Sequence, residues 1–325
     1  MASCFLLLKP MTWQLKMYVR KNIHWRVIWA YSWRDVLIIT LYDTLAAILY
    51  GPLHIHVLDV PWQLVSIVGV AVSFYVGFKN SSAYSRFSEA RTLWGGIVNR
   101  SRSWAWQVLA NNHAAEAPGS YALWQHELVD RQIAWVNALR LHLRRQPELW
   151  ETEVAPFLSG LEATAVRRQA NPPAQLLLAQ AHALREVGKH FNGLQQNSLI
   201  DELRELTSLQ GGCERIKTTP FPRQYAFSSQ VFVWIFAALL PLGLFGEFNK
   251  LGHGNFWYTV PFSVLVSWVF ITIELVGHIS ENPFENRMND VPMSALCRTI
   301  EIDLRQMLGE TGLPSPIQPI DGVLY

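Results

Sequence analysis

Four stretches of the chain are long and apolar enough to cross a lipid bilayer, and this feature restricts the fold more than any other. The hydrocarbon core is about 30 Å thick, and an α-helix crosses it in roughly 20 residues. Each stretch is therefore predicted to be a transmembrane helix. The four predicted spans cover residues 35–51, 60–80, 225–246 and 256–277.

The composition supports a membrane protein and argues against several functional classes. Only 16% of the 325 residues are charged, whereas soluble domains have about 25%. The 14 Trp and 10 Tyr residues suit the headgroup layer, and a net charge of +2 is too small to indicate a nucleic-acid partner. The three cysteines lack zinc or disulfide-framework spacing, and the common phosphate-loop, dinucleotide, zinc-protease and serine-hydrolase motifs are absent. We therefore expect neither enzyme activity nor a cofactor.

The distribution of Lys and Arg predicts the orientation. The first 34 residues carry six, whereas the loop 52–59 has none and the loop 247–255 has one. Positive-inside reasoning places both termini and the region between spans two and three in the cytoplasm. The membrane is expected to be the plasma (inner) membrane. Between spans two and three, apolar residues recur at spacings of three and four, which predicts helices with one buried face. The predicted segments are a cytoplasmic N-terminal segment (1–34), a transmembrane hairpin (35–80, with pore helix 60–80), a cytoplasmic helical block (81–224), a second transmembrane hairpin (225–277) and a cytoplasmic C-terminal segment (278–325).

The second span carries two adjacent rows of residues with a spacing of four, one row with bulky side chains and one with small side chains. Because of this spacing, each row keeps to one side of a helix. Small residues let helices approach closely in a bilayer, either within one chain or between copies around a symmetry axis. In the second arrangement the bulky row forms stacked apolar rings, and such hydrophobic constrictions gate ion flow. The bulky row is Val70, Phe74 and Phe78, and the small row, which would pack the helices around a pore, is Gly69, Ser73 and Gly77.

Three segments resemble the bestrophin family, in particular its bacterial members. They are GFKNSSAYSRFSEARTLWGGIVNRSR, GGCERIKTTPFPRQYAF and ENPFENRMNDVPMSALCRTIEIDLRQML, and the resemblance covers roughly residues 17–325. It implies an all-α membrane protein in which four transmembrane helices and a large cytoplasmic helical region assemble as a homopentamer around a central pore. The resemblance places the pore neck at Val70, Phe74 and Phe78 and a cytoplasmic aperture near Asn197.

Calcium activation, which animal members of the family show, is not expected here. Asn282 and Asp290 match positions of the calcium clasp, but Arg287 stands at a carboxylate position and Ile279 at an amide position. Calcium needs six to eight oxygen ligands, several of them carboxylates. A turn that leads into the next helix is an alternative role for Asn282 and Asp290. We therefore predict that no metal is held at this degenerate clasp.

Three alternatives remain open besides a passive channel for monovalent anions such as chloride. A ring of phenylalanine edges mildly favours anions, but some bacterial bestrophins favour cations, so a sodium channel of the same architecture is the first alternative. A proton-coupled secondary transporter could use Asp43 or Glu274, since carboxylates inside a membrane are functional candidates. A membrane-anchored scaffold is the third alternative. The expected partners are further copies of this chain, permeant inorganic ions and the lipid bilayer.

Overall fold

The structure, a computed structural model, describes residues 17–18, 25–53, 60–110, 118–186, 191–252, 254–287, 290–319 and 323–324. Within these ranges the chain is almost entirely helical, and the all-α fold class is confirmed. The α-helices are α1 (Trp25–Tyr50), α2 (Trp62–Ala110), α3 (Pro118–Arg144), α4 (Trp150–Glu153), α5 (Gly160–Arg167), α6 (Pro172–Glu186), α7 (Gly193–Thr218), α8 (Arg223–Asn249), α9 (Thr259–Ser280) and α10 (Met293–Met307). Two-residue strands β1 (Met17–Tyr18) and β2 (Val323–Leu324) pair antiparallel.

The chain divides into two compact units. The membrane unit contains Arg20–Ser88 and Thr219–Asn282, and the second unit contains Met1–Val19, Glu89–Thr218 and Pro283–Tyr325. Helix α2 contributes residues to both. The boundaries predicted from the sequence stay predictions, and much of the N-terminal segment 1–34 and most of the loop 52–59 lie outside the described residues.

Three helices in the described part of the chain are long and apolar enough to cross a membrane. They are α2, α8 and α9 together with the 3-10 turn that precedes it (Asn255–Ser280). The remaining predicted span, residues 35–51, lies within α1. That helix has 26 residues, which gives a length of about 39 Å, but Arg34, Asp35 and Asp43 fall within its last 18 positions. It is therefore long enough to cross and less apolar than the other three.

The core of the membrane unit joins α2 to α8 and α9. Val65, Val72 and Val76 of α2 are buried with Phe236 of α8 and Ile271 of α9. Their spacing of seven and four puts them on one face of the helix. This face fixes the rotation of α2 about its own axis, and hence the direction in which every other α2 side chain points.

The core of the second unit is built around α3, and here one sequence prediction is wrong. Residues 131–141 of α3 are all buried, polar ones included, whereas the amphipathic pattern predicts a single buried face. Buried polar groups are tolerated when they are hydrogen-bonded. Gln132 donates to Ser101 (2.9 Å) and accepts from Gln180 (3.0 Å), and Arg131 binds Glu162 (2.7 Å). Partners from distant segments therefore bury the face that the pattern assigns to water.

Candidate pore site

The bulky row of α2 lies on the side of the helix that the rest of the chain leaves uncovered. Val70, Phe74 and Phe78 are 58%, 66% and 73% exposed, while the opposite row is in the core of the membrane unit. Phenylalanine is one of the residues that folded chains bury most readily. Two uncovered phenylalanines on one helix face therefore indicate a surface completed by lipid or by another copy of the chain.

The small row does not act as one packing stripe within the chain. Gly69 is buried, and a β-carbon added there would lie 2.8 Å from the Phe236 ring, so this position needs glycine for the approach of α8. Ser73 and Gly77 are exposed, and a β-carbon at Gly77 would meet nothing within 4 Å. The Ser73 hydroxyl donates to the Gly69 carbonyl at 2.7 Å. Gly69 thus serves packing inside the chain, and the other two border the uncovered face.

The uncovered face changes from apolar to polar along α2. Residues 62–78 contain no charged side chain. The row that passes through Phe74 and Phe78 then continues to Ser82, with Ser81 and Ser85 beside it, and all three serines are exposed. Sequence reasoning did not single out these serines, although extending the spacing of four by one step beyond Phe78 reaches Ser82. An apolar segment followed by hydroxyls is an arrangement suited to a constriction that opens into a wetted path.

A buried ionic cluster lies where the apolar segment of α2 ends. Nζ of Lys79 is 2.5 Å from Oε1 of Glu274 and 3.2 Å from Oε1 of Glu281, and the three residues are at most 8% exposed. Glu274 is therefore an ion-pair partner of α2. The sequence suggests Glu274 as a carboxylate that could serve coupling, but it does not identify Lys79 as its partner, because 195 residues separate the two.

Two further side chains tie α2 to the rest of the membrane unit. Asn80 donates to the carbonyl of Ile273 at 3.0 Å. Arg86 donates to the carbonyls of Glu281 (3.1 Å) and Thr219 (2.9 Å). These bonds join α2 to α9 and to the segment before α8. Together with the ionic cluster they hold the helix at the point where its uncovered face becomes polar.

Asp43 of α1 is fully buried in the membrane unit, and neither of its carboxylate oxygens has a hydrogen-bond partner in the described part of the chain. The Ser263 hydroxyl of α9 lies close to it, but without hydrogen-bond geometry. Thr259 and Ser267, four residues to either side of Ser263, are also fully buried with unpartnered hydroxyls. The alternative to a role in proton coupling is that Asp43 pairs with a group on a neighbouring helix of the bundle, and no such pairing is seen among the described residues.

The remaining predicted site residues lie apart from the uncovered face of α2 in sequence. Asn197 is an exposed residue in the second turn of α7. Asn282 follows α9 and is partly buried, whereas Asp290 is 3% exposed. Oδ2 of Asp290 accepts from the backbone N–H of Arg287 at 2.9 Å, and this turn leads into α10.

The surroundings of Asp290 show how its carboxylate is used. Burial raises the pKa of Asp290 to about 6, against the lowering effect of the backbone hydrogen bond from Arg287. A carboxylate that accepts backbone bonds within a turn has a structural role of its own. No group of three His, Cys, Asp or Glu side chains among the described residues is arranged to hold a metal.

Comparison with known proteins identifies the family. Residues 8–306 match the family described as Bacterial/Fungal Bestrophin protein. The voltage-dependent anion channel-forming protein YneE of Escherichia coli O157:H7 is 32% identical over 288 residues, which cover 87% of this chain and 89% of that protein. The voltage-dependent anion channel-forming protein RSc3414 of Ralstonia nicotianae is 32% identical over 313 residues, 91% of this chain and 96% of that protein.

A solved structure agrees with the sequence relatives. The crystal structure of a bacterial bestrophin homologue from Klebsiella pneumoniae superposes with a TM-score of 0.75 at 29% identity, covering 85% of this chain and 97% of that one. The resemblance seen in three sequence segments is therefore confirmed over most of the chain, as are the membrane assignment and the prediction that the chain is not an enzyme. This chain belongs to the bacterial and fungal bestrophin family.

Proposed function

We propose that this chain forms a homopentameric channel that conducts monovalent anions, chloride first, through a pore lined by α2. The relatives named as voltage-dependent anion channel-forming proteins support the anion assignment. The proposal places the channel in the plasma membrane, with both termini and residues 81–224 in the cytoplasm. It assigns Val70, Phe74 and Phe78 to the neck and Asn197 to a cytoplasmic aperture, and it requires no calcium at Asn282 or Asp290.

The observation that carries the proposal is the uncovered apolar row on α2, whose opposite face is held in the core. Val70, Phe74 and Phe78 are more than half exposed, and the back of the helix is fixed by Val65, Val72 and Val76. An apolar lining constricts a pore by dewetting, so ions pass when the ring of side chains is wide enough to stay wetted. In this arrangement the neck side chains set the conductance.

Ion selectivity in such a neck comes from weak dipoles, because residues 62–78 contain no charge. Aromatic rings have a positive edge and a negative face. Rings that turn their edges toward the axis favour an anion, whereas rings that turn their faces favour a cation, which is how a sodium channel could use the same scaffold. The proposed channel has the edges inward.

The test of ion choice is the reversal potential of the purified protein in planar bilayers under a salt gradient. With sodium chloride on both sides, we expect a reversal potential close to the chloride equilibrium value. A value close to the sodium equilibrium potential refutes the anion assignment and supports the sodium alternative. Addition of a calcium chelator is expected to leave the current unchanged, and a loss of current on chelation refutes the calcium-independent proposal.

The test of the neck is Phe74→Ala, with Phe262→Ala as the matched control. Phe262 of α9 is 51% exposed, so it also presents an uncovered phenylalanine, but it lies outside the α2 row. We expect a several-fold higher single-channel conductance for Phe74→Ala, because a wider apolar ring dewets less readily, and an unchanged conductance for Phe262→Ala. Equal conductance of the two variants refutes the neck assignment.

The copy number is tested independently by native mass spectrometry of the detergent-solubilised protein. Five chains per particle are expected. Phe78→Cys is a further test, since a residue that faces a central axis meets its own copies and forms disulfide-linked dimers under oxidation, while Phe262→Cys does not. Single chains, or cross-linking at both sites alike, contradict the assembly around α2.

A proton-coupled transporter is the second candidate, because Asp43 is buried without a hydrogen-bond partner. This candidate requires ion flux that follows an imposed pH gradient and is lost in Asp43→Asn. The channel proposal predicts currents that resolve into single-channel steps and persist in Asp43→Asn. The two functions are therefore separated by one variant.

A further inference from the structure

The second unit contains a cavity of about 430 Å³ with a mostly apolar wall. It lies between the end of α3, the segment around α4, the start of α6 and the end of α7. Ala138, Leu141, Leu143, Pro147 and Trp150 contribute apolar surface to it. Ligand sites in proteins are typically clefts of about 300–1,000 Å³ that are apolar with a few placed polar groups. The cavity has the size and lining of such a site, and none of the residues assigned to the pore lines it.

The charged groups around the cavity leave one cation without a partner. Arg167 is paired with Glu151, and Lys217 is paired with Glu285 at 2.8 Å. The carboxylate of Glu214, which also lines the cavity, accepts hydrogen bonds from Asn171 (2.9 Å) and Gln210 (2.8 Å). Arg145 is exposed and has no acidic partner in the described part of the chain.

The backbone places Arg145 at the cavity in a conformation that arginine seldom adopts. Arg145 has a φ of 56°, in the left-handed region that favours glycine. Its N–H donates to the carbonyl of His142 (3.3 Å), and the N–H of Gln146 donates to the carbonyl of Leu141 (3.0 Å). These two bonds define the Schellman ending of a helix, where glycine is the usual residue at the left-handed position. Arginine is less favourable than glycine at this position, and residues in such conformations are enriched at ligand sites.

A polar group in the apolar wall also lacks a partner. Trp150 lines the cavity and is 4% exposed, and its indole Nε1–H has no acceptor among the described residues. The indole nitrogen itself is not accessible to a water-sized probe. Trp150 therefore presents ring carbons to the cavity, and its N–H does not open into it.

We propose that this cavity binds a small organic monocarboxylate with an apolar body. The apolar wall, which includes the ring of Trp150, takes the aryl or alkyl part, and the guanidinium of Arg145 binds the carboxylate. One free cation suits an acid with one negative charge. The carboxylate of Glu214 at the same cavity disfavours ligands that carry more. This proposal concerns the second unit alone and does not depend on the conducted ion.

The experiment titrates 4-phenylbutyrate into the full-length protein in lipid nanodiscs, with empty nanodiscs subtracted, by isothermal titration calorimetry. Saturable binding of one molecule per chain is expected. Arg145→Gly is expected to weaken binding about 3- to 5-fold, the contribution of an ion pair made by an exposed arginine. Trp150→Phe removes part of the apolar wall and is expected to weaken binding about 2- to 10-fold.

The controls separate a binding role from a structural one. Because glycine relieves the left-handed turn, Arg145→Gly is expected to keep or raise the melting temperature while binding is weakened. The uncharged amide of the same ligand is expected to bind the parent and Arg145→Gly equally, and Arg204→Gln, an exposed arginine of α7, is expected to bind like the parent. Absence of saturable binding by the parent overturns the proposal, as does binding within twofold of the parent in both cavity variants.

Discussion

Removal of the Lys79 charge tests how the membrane unit is held together. Nζ of Lys79 lies between the carboxylates of Glu274 (2.5 Å) and Glu281 (3.2 Å), and all three residues are buried. Lys79→Met leaves two neighbouring carboxylates without their lysine. Loss of one partner of a buried ion pair costs about 3–5 kcal/mol, so we expect the free energy of unfolding to fall by that amount.

The reverse change is expected to be mild, and this asymmetry makes the test specific. Glu274→Gln leaves one lysine opposite one carboxylate, and the amide oxygen can still accept from Lys79. We expect a loss of about 1 kcal/mol or less. The triple variant Lys79→Met/Glu274→Gln/Glu281→Gln removes all three charges, and we expect it to recover most of the stability that Lys79→Met loses.

The assay is thermal unfolding of the detergent-solubilised protein, followed by size-exclusion chromatography after heating, at one heating rate. All variants are compared at the same pH of 8. In a chain of this size about 1 kcal/mol corresponds to roughly 2 °C. We therefore expect losses of about 6–10 °C for Lys79→Met and about 2 °C or less for Glu274→Gln.

A matched control is Lys250→Met, which removes a lysine from an exposed pair with Glu247 (2.7 Å). Exposed ion pairs contribute about 0–1 kcal/mol, so its melting temperature is expected to stay within about 2 °C of the parent. A Lys79→Met variant as stable as this control, or a Glu274→Gln variant as unstable as Lys79→Met, refutes the view that Lys79 neutralises a buried pair of carboxylates.

Three other predictions concern buried titratable groups. Because the pKa of Asp290 is raised from 3.8 to about 6 in the fold, its stabilising contribution is complete below pH 4 and is lost as the pH rises through 6. Asp290→Asn is therefore expected to stabilise the protein by roughly 1–3 kcal/mol at pH 8. Its melting temperature is expected to change less between pH 5 and 8 than that of the parent, and an equally steep dependence on pH contradicts this. Burial raises the thiol pKa of Cys213 to about 12 and of Cys297 to about 11. In a Cys4→Ser background, neither thiol is therefore expected to react with iodoacetamide at pH 8 until the protein is unfolded. Labelling of the folded protein counts against their burial. Asp43→Asn removes a buried carboxylate that has no hydrogen-bond partner in the described part of the chain. The variant is expected to be more stable by about 1–3 kcal/mol, measured as a higher melting temperature. A lower melting temperature would show that the charge of Asp43 is compensated.

The sequence by itself determined the features that depend on local composition and spacing. Long apolar runs predict spanning helices because the bilayer excludes unpaired backbone groups. The spacing of four predicts that Val70, Phe74 and Phe78 share one face of helix α2, and the structure leaves all three uncovered. The family was also recognisable from three segments in order along the chain, and the match over residues 8–306 confirms it.

The tertiary structure decided which neighbours each face meets. A step of four residues turns a helix about 40° beyond a full turn, so the small row drifts around α2. For this reason Gly69 packs against Phe236 while Gly77 is open. The pairing of Lys79 with Glu274 joins residues 195 positions apart, and no local pattern encodes that contact. Burial of the polar face of α3 likewise depends on partners such as Gln180 that are distant in sequence.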